Sequence, residues 1–339
     1  MLRLGDINKN KLIRGLILLF MVAMLLFPNA SFQGASTGLL LWFEHVLPNL
    51  LPFIILSNLI VRLNITDQIS GFLYPALGRL FRISANGCYP IALGFLSGIP
   101  MGAKATADLI SENKISRKEG QFLLGMCNNA SPMFILGYIS VTQLKLPQIK
   151  YALFAIIYIS AILSAVLFRI LIAVKSEQIS AKVHAMSNVQ IQTLQPRSHK
   201  ADRSIGNSHQ RFSFPLLDSS ILSGFEIITK IGGYIILFSI LAQLLNTVFP
   251  DIGVLKALAV GMLEITTGVS QICNSSLAEP TKIVLVSVLT SFGGCSGIAQ
   301  TKSVLGSSRL SIKSYLIVRL LNAAITGSIA YGYVIYLFH

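Results

Sequence analysis

Glycine, serine, proline and asparagine break this chain where an apolar segment has no ordinary use for them. Ser97-Gly98-Ile99-Pro100-Met101-Gly102 interrupts one apolar run, and Gly293-Gly294-Cys295-Ser296-Gly297 interrupts another. A helix that stops inside a bilayer leaves backbone N–H groups without partners and a partial positive charge at its start. Glycine lets such a backbone approach a ligand closely, and serine adds a short-range donor. Ser97, Gly98, Gly102, Gly293, Gly294, Ser296 and Gly297 are therefore candidate binders of a small anionic substrate, above all a carboxylate. Lys104, two residues past the first tip, is placed to neutralise that anion. Close helix packing through a small-xxx-small stripe competes as the reading of Gly98 and Gly102. A proline between the glycines, and a second copy of the pattern, favour the tip.

The second copy aligns without a gap: Gly98 with Gly293, Gly102 with Gly297, Thr106 with Thr301, Ser116 with Ser311 and Lys118 with Lys313. Interruptions at matching places in two halves mark the binding site of a secondary transporter. A third interruption is Asn128-Asn129-Ala130-Ser131-Pro132. Pro132 removes a donor and frees a carbonyl, so Asn128, Asn129 and Ser131 suit either a substrate or Na⁺. A kink whose Asn side chains satisfy local backbone is the equal alternative. Asn322 falls where Asn129 does when Phe122 is matched to Tyr315. Glu264, inside Gly261-Met262-Leu263-Glu264-Ile265-Thr266-Thr267-Gly268, reads as a carrier of a coupling proton or as an ion pair with Arg319. No cofactor is expected, and the coupling ion, Na⁺ or H⁺, stays open.

These breaks need long apolar elements to hold them. Of 339 residues, 53% are hydrophobic and 12% charged, and the mean hydropathy is +0.69. That composition belongs to an all-α polytopic membrane protein whose solvent is the lipid bilayer. The net charge of +14 sits at segment ends and in loops and not on an amphipathic face, which argues against nucleic acid and for orientation by cytoplasmic Lys and Arg. Cys88, Cys127, Cys273 and Cys295 are isolated, and the histidines lack ligand spacing, so no metal is expected. No nucleophile–base pair supports an enzyme.

Four regions follow. Residues 1–32 read as an N-terminal transmembrane anchor, with a cleaved signal peptide as the alternative, 33–174 as a first repeat, 175–215 as a flexible cytoplasmic linker, and 216–339 as a second, inverted-topology repeat. In the first repeat, 34–47 reads as an interfacial helix anchored by Trp42, with Glu44 and His45 as its wet side. Residues 63–86 read as a cytoplasmic loop, and 87–112 as a re-entrant helical hairpin broken at its tip. In the second, 252–272 reads as a moderately apolar helix and 281–307 as the second hairpin. This scheme leaves only Lys145, Lys150, Lys256, Lys282, Arg309 and Lys313 outside, and sets 113–118 and 306–313 on opposite faces. Broad apolar faces permit a homodimer.

Four motifs in order carry a family likeness: Gly94-Phe-Leu-Ser-Gly-Ile-Pro-Met-Gly-Ala-Lys104, Cys127-Asn-Asn-Ala-Ser-Pro132, Gly261-x-x-Glu-Ile-Thr-x-Gly268 and Gly293-Gly-x-Ser-x-x-Ala-Gln300. With them the chain resembles the sporulation integral membrane proteins of the YlbJ or SpoVV type, which contain the nucleoside-recognition Gate domain. The likeness spans most of residues 33–339, with the central linker poorly matched. It implies transport of dipicolinic acid during spore formation, across the membrane surrounding the forespore. It also implies a fold related to transporters with two inverted repeats and paired hairpins. A nucleoside or another small solute carried by the same fold is the first alternative. A non-transporting membrane scaffold that recruits sporulation proteins through 175–215 is the second.

Overall fold

Twenty or so apolar residues in a row satisfy their backbone in lipid only as helix, and this sequence follows that constraint. A computed structural model describes residues 4–63, 65–186 and 212–338, and every regular element among them is helical. The order is α1 (Leu4–Leu26), α2 (Pro28–Leu40), a π-helical stretch Leu41–Val46, α3 (Leu47–Arg62) and α4 (Thr66–Phe81). Next come α5 (Cys88–Ser97), α6 (Met101–Ser111), α7 (Arg117–Cys127), a second π-helical stretch Phe134–Gln143 and α8 (Lys150–Met186). The remainder is α9 (Phe214–Val248), α10 (Val254–Leu263), α11 (Ile265–Cys273), α12 (Glu279–Phe292), α13 (Gly294–Val304) and α14 (Ile312–Phe338). Among the described residues, four segments are long and apolar enough to cross a membrane: Pro147–Leu171, Phe214–Val248, Glu279–Val304 and Ile312–Phe338. Bent helix pairs raise that number to as many as six. The protein is a multi-pass, all-helical membrane protein.

The first hairpin lies where the sequence places it. Gly98 adopts φ +81° and ends α5, and α6 folds back along it so that Gly94 faces Gly102. A Cβ on Gly94 would stand 2.9 Å from the Gly102 Cα, which shows how close the two backbones run. Glycine on both sides of the tip is what permits it.

The second hairpin is not at 281–307. Glu279–Val304 forms one broken span, with Gly293 (φ +84°) between α12 and α13. The hairpin is instead α10–α11, turning at Glu264, with Gly261 and Gly268 face to face: a Cβ on Gly268 would meet the Gly261 Cα at 2.1 Å. The reason is in the side chains flanking each tip. Four residues before Gly293 stands Leu289, too large for a facing backbone, whereas Gly261 and Gly268 flank Glu264. The 252–272 helix expected from the sequence is thus this hairpin. With that correction, the order hairpin, broken span, long helix occurs twice: α5–α6, α7 to Gln143 and α8, then α10–α11, α12–α13 and α14.

Three further expectations change. Residues 306–313 and 113–118 do not lie on opposite sides, because Gln121, at the start of α7, exchanges two hydrogen bonds with the Ser311 backbone: Ser311 N to Oε1 at 2.7 Å and Nε2 to Ser311 O at 3.2 Å. The 34–47 segment does not lie free at an interface. Gly34 and Gly38 bring α2 onto the α9 backbone at Ile240 and Ile236, and the Trp42 indole N–H donates to Ile228 O at 2.9 Å. Residues 66–81 of the expected loop form α4, an amphipathic helix that buries Thr66, Ser70, Gly78 and Phe81. The linker expectation falls mainly on residues 187–211, outside the described ones, although α8 continues to Met186, past its expected start at 175.

Candidate functional site

The two hairpin tips and the two span breaks converge. Ile99 N donates to Asn129 O at 2.7 Å, which ties the first tip to the first break. A Cβ on Gly98 would meet Ser131 N at 2.6 Å, so only glycine fits that contact. At the second break, a Cβ on Gly294 (φ +68°) would stand 3.4 Å from Leu263 O and 3.5 Å from Gly261 O, both beside the second tip. The halves meet where the Ile99 side chain lies against Gly293 and Gly297.

Between them is a cavity of about 350 Å³. Ser97 and Ile99 from the first tip, Ala130 and Ser131 from the first break, and Glu264 and Thr266 from the second tip line it. Gly293, Ser296 and Gly297 from the second break complete that wall, and Phe134, Tyr138 and His45 add rings from the two π-helical stretches. Of the residues singled out in the sequence, Ser97, Ser131, Glu264, Gly293, Ser296 and Gly297 therefore share one space.

The others hold the breaks together and do not line that cavity. Asn128 Nδ2 donates to Thr301 Oγ1 at 2.8 Å and to the Tyr315 hydroxyl at 2.9 Å, while its Oδ1 accepts from Ala103 N at 3.3 Å. Asn129 Nδ2 donates to Met126 O at 2.6 Å, and Asn322 Nδ2 to Ser291 O at 3.3 Å. Lys104 pairs with Asp108 one turn on, at 2.6 Å, and Gly98, Gly102 and Gly294 serve close backbone approach.

A half-helix start facing a cavity can hold an anion only if nothing in the chain already caps it. Asn128 caps α6, and Ser131 Oγ accepts from Phe134 N at 3.2 Å. Glu264 Oε2 accepts from Thr267 N at 2.9 Å and from the Thr266 and Thr267 hydroxyls, and so caps α11. The start of α13 has no side-chain cap among the described residues, and Gly293, Ser296 and Gly297 place it on the cavity wall. On the same wall Ser97 is 4% exposed, and its hydroxyl has no partner among the described residues.

The freed carbonyls of the breaks are met by Tyr158, which sequence reasoning passed over, and by Arg319, which it read as an ion-pair partner of Glu264. Tyr158 on α8 donates its hydroxyl to Phe95 O and Ala130 O, at 2.9 and 3.0 Å. Arg319 on α14, fully buried, donates Nε to Phe292 O at 3.1 Å and Nη2 to Ser291 O. Its Nη1 reaches Asn129 Oδ1 at 2.6 Å and Asn128 O at 3.3 Å. The anticipated Glu264–Arg319 ion pair is absent among the described residues, because carbonyl dipoles satisfy the arginine and the α11 start satisfies the glutamate. A tyrosine in the middle of a mainly apolar helix is the signal that was available, since a buried phenol needs a partner. Tyr158→Phe keeps the volume and orphans two carbonyls, so it should lower stability by about 1–2 kcal/mol, measurable as a lower Tm in detergent.

Across 330 residues, 92% of this chain and 80% of the relative, the sequence is 30% identical to sporulation integral membrane protein YlbJ of Bacillus subtilis strain 168. The chain belongs to the YlbJ family. That relative's name, a sporulation integral membrane protein, agrees with the apolar helices found here. No family model matches the chain, so the Gate-domain likeness stands on the motifs alone, and no solved structure matches it.

Proposed function

We propose that this YlbJ-family protein is a secondary transporter that moves a small carboxylate by alternating access, with dipicolinic acid in spore formation as the first candidate. The observation that carries the reading is the uncapped α13 start on the wall of a cavity that also holds the unpartnered Ser97 hydroxyl. Backbone N–H groups and the helix dipole favour an anion there, and the hydroxyl supplies a further donor. The flat rings of Phe134 and Tyr138 suit a planar substrate.

In this proposal the two series of hairpin, broken span and long helix are inverted copies, one entering from each face. The corrected hairpin assignment helps it. With α12–α13 as an inward-running span, Arg309 and Lys313 move to the cytoplasmic side, leaving Lys145, Lys150, Lys256 and Lys282 outside. Glu264, on the cavity wall, is then the group to carry a coupling proton.

Dipicolinate flux into liposomes containing the full chain tests the reading. Gly297→Val adds bulk where a Cβ meets only Ile99, at 3.7 Å or beyond, so the variant should fold and lose at least about tenfold in flux. Undiminished flux through a folded Gly297→Val protein would place the substrate elsewhere. A second reading, a nucleoside substrate, draws on the neutral polar wall of Thr290, Ser296 and Gln300. Competition by nucleosides and not by dicarboxylates would decide for it.

A further inference from the structure

Arg319 is the largest of the fully buried side chains, and every polar contact it makes is to a dipole. Its acceptors are three backbone carbonyls and one asparagine amide, so none of them brings a negative charge. The guanidinium stays charged at any pH a cell meets. A buried cation held only by dipoles keeps its unit charge: the carbonyl ends of α7 and α12 weaken its field, and no acidic side chain among its contacts neutralises it.

That field has a direction. A Cβ built on Gly293 would lie 3.4 Å from Arg319 Nη2 and 3.9 Å from Nε. Gly293 is itself on the cavity wall, beside the α13 start. Thus the guanidinium sits just behind a wall one glycine thick, out of contact with the cavity but close to it. The acidic side chain on that wall, Glu264, has its Oε2 turned to the α11 start, and it opposes the arginine's field except when it carries the coupling proton assigned to it above. Tyr138 and His45 are the other titratable groups on the wall, and neither brings a fixed negative charge there.

We propose that Arg319 is the charge-selecting residue of this cavity, a positioning residue that favours anionic over neutral solutes through its field across Gly293, without touching them. This rests on the carboxylate reading above and adds to it the source of the selectivity. It also gives the two breaks a second purpose: the carbonyl ends of α7 and α12 hold a permanent cation in place, and the α13 start adds to the same positive field.

The test is equilibrium binding of dipicolinate and of its uncharged diamide to the purified full-length protein. Wild type should bind dipicolinate at least about tenfold more tightly than the diamide. Asn129→Asp is nearly isosteric and gives Nη1 a carboxylate partner, cancelling the charge while keeping the guanidinium where it is, at the cost of the Asn129 Nδ2 hydrogen bond to Met126 O. It should remove most of that preference and leave diamide binding unchanged, an effect a merely structural role for Arg319 would not produce. Arg319→Lys, where it folds, should retain the preference. A folded Asn129→Asp protein that discriminates as wild type does overturns the inference and leaves the carboxylate reading standing. Wild type that fails to bind dipicolinate, or binds the diamide as tightly, overturns both.

Discussion

Arg319→Met should leave a protein that no longer survives extraction as a monodisperse species, with a Tm well below that of wild type. The substitution keeps a long apolar stem and removes the donors to Ser291 O, Phe292 O, Asn128 O and Asn129 Oδ1. Phe292 O and Asn129 Oδ1 are then unpaired, while Ser291 O keeps Asn322 Nδ2 and Asn128 O keeps the Tyr315 hydroxyl; each unpaired acceptor in a site without water costs about 1–3 kcal/mol. Relief of the buried charge offsets part of this, since taking a cation out of water is itself costly. The two orphaned acceptors outnumber the single charge, and both are buried, one at the end of α12 and one on the Asn129 amide, out of reach of water. The expected net loss is about 3 kcal/mol or more. Thermal unfolding followed by intrinsic fluorescence and size-exclusion profiles measures it. A variant with wild-type Tm would mean that the breaks are held by other contacts.

Gly268→Val should have a comparable effect by a different route. The Cβ alone would stand 2.1 Å from the Gly261 Cα and 3.0 Å from Ala257 O, and both neighbours are backbone. No rotamer change relieves such a clash, so α10 and α11 must separate and Glu264 must leave the cavity wall. Strain of this kind costs several kcal/mol, of the order of a broken core (about 3 kcal/mol or more). Gly233→Ala is the matched control, because nothing lies within 4 Å of its Cβ and it sits inside helical α9. That change should be neutral or stabilising by about 0.5–1 kcal/mol. Equal damage from both substitutions would show that the glycine pair is not what closes the hairpin.

The same glycines explain what the sequence could and could not reveal. The first hairpin was legible because Gly94 and Gly102 flank a proline-bearing tip, a pattern with little other use in an apolar segment. The second was misplaced because the ungapped alignment matched the tip residues Gly98 and Gly293 and ignored the residues that must face each other across the turn. Leu289 against Gly94 was the available warning, and Gly261 with Gly268 around Glu264 the available answer. The all-helical, multi-pass character followed from composition alone, and the four ordered motifs pointed to the family that the 30% identity to the Bacillus subtilis relative shows.

The candidate site was legible in its glycines and serines and not in its clamp. Ser97, Ser131, Ser296 and Gly297 do share one cavity. Arg319 read as half of an ion pair because a buried arginine calls for an acid, and sequence offers no view of carbonyls freed at helix ends. The asparagines had been an even choice between ligand and kink, and their hydrogen bonds to Thr301, Tyr315, Met126 and Ser291 occupy them within the fold. The placement of α2 was missed for a simpler reason. Trp42 drew the eye to an interface, while Gly34 and Gly38, one helical turn apart, already described a face built for close packing on α9.

The central claim is that one cavity, bounded by two tips and two breaks, opens alternately to either side and takes up a carboxylate. It is tested most directly by a single cysteine in place of Ser296, in a chain whose Cys88, Cys127, Cys273 and Cys295 are replaced, reconstituted in liposomes of known orientation. A membrane-impermeant thiol reagent should modify that cysteine from both faces, and dipicolinate should slow the reaction from each. Reactivity from neither face, or a rate indifferent to saturating dipicolinate, would contradict it.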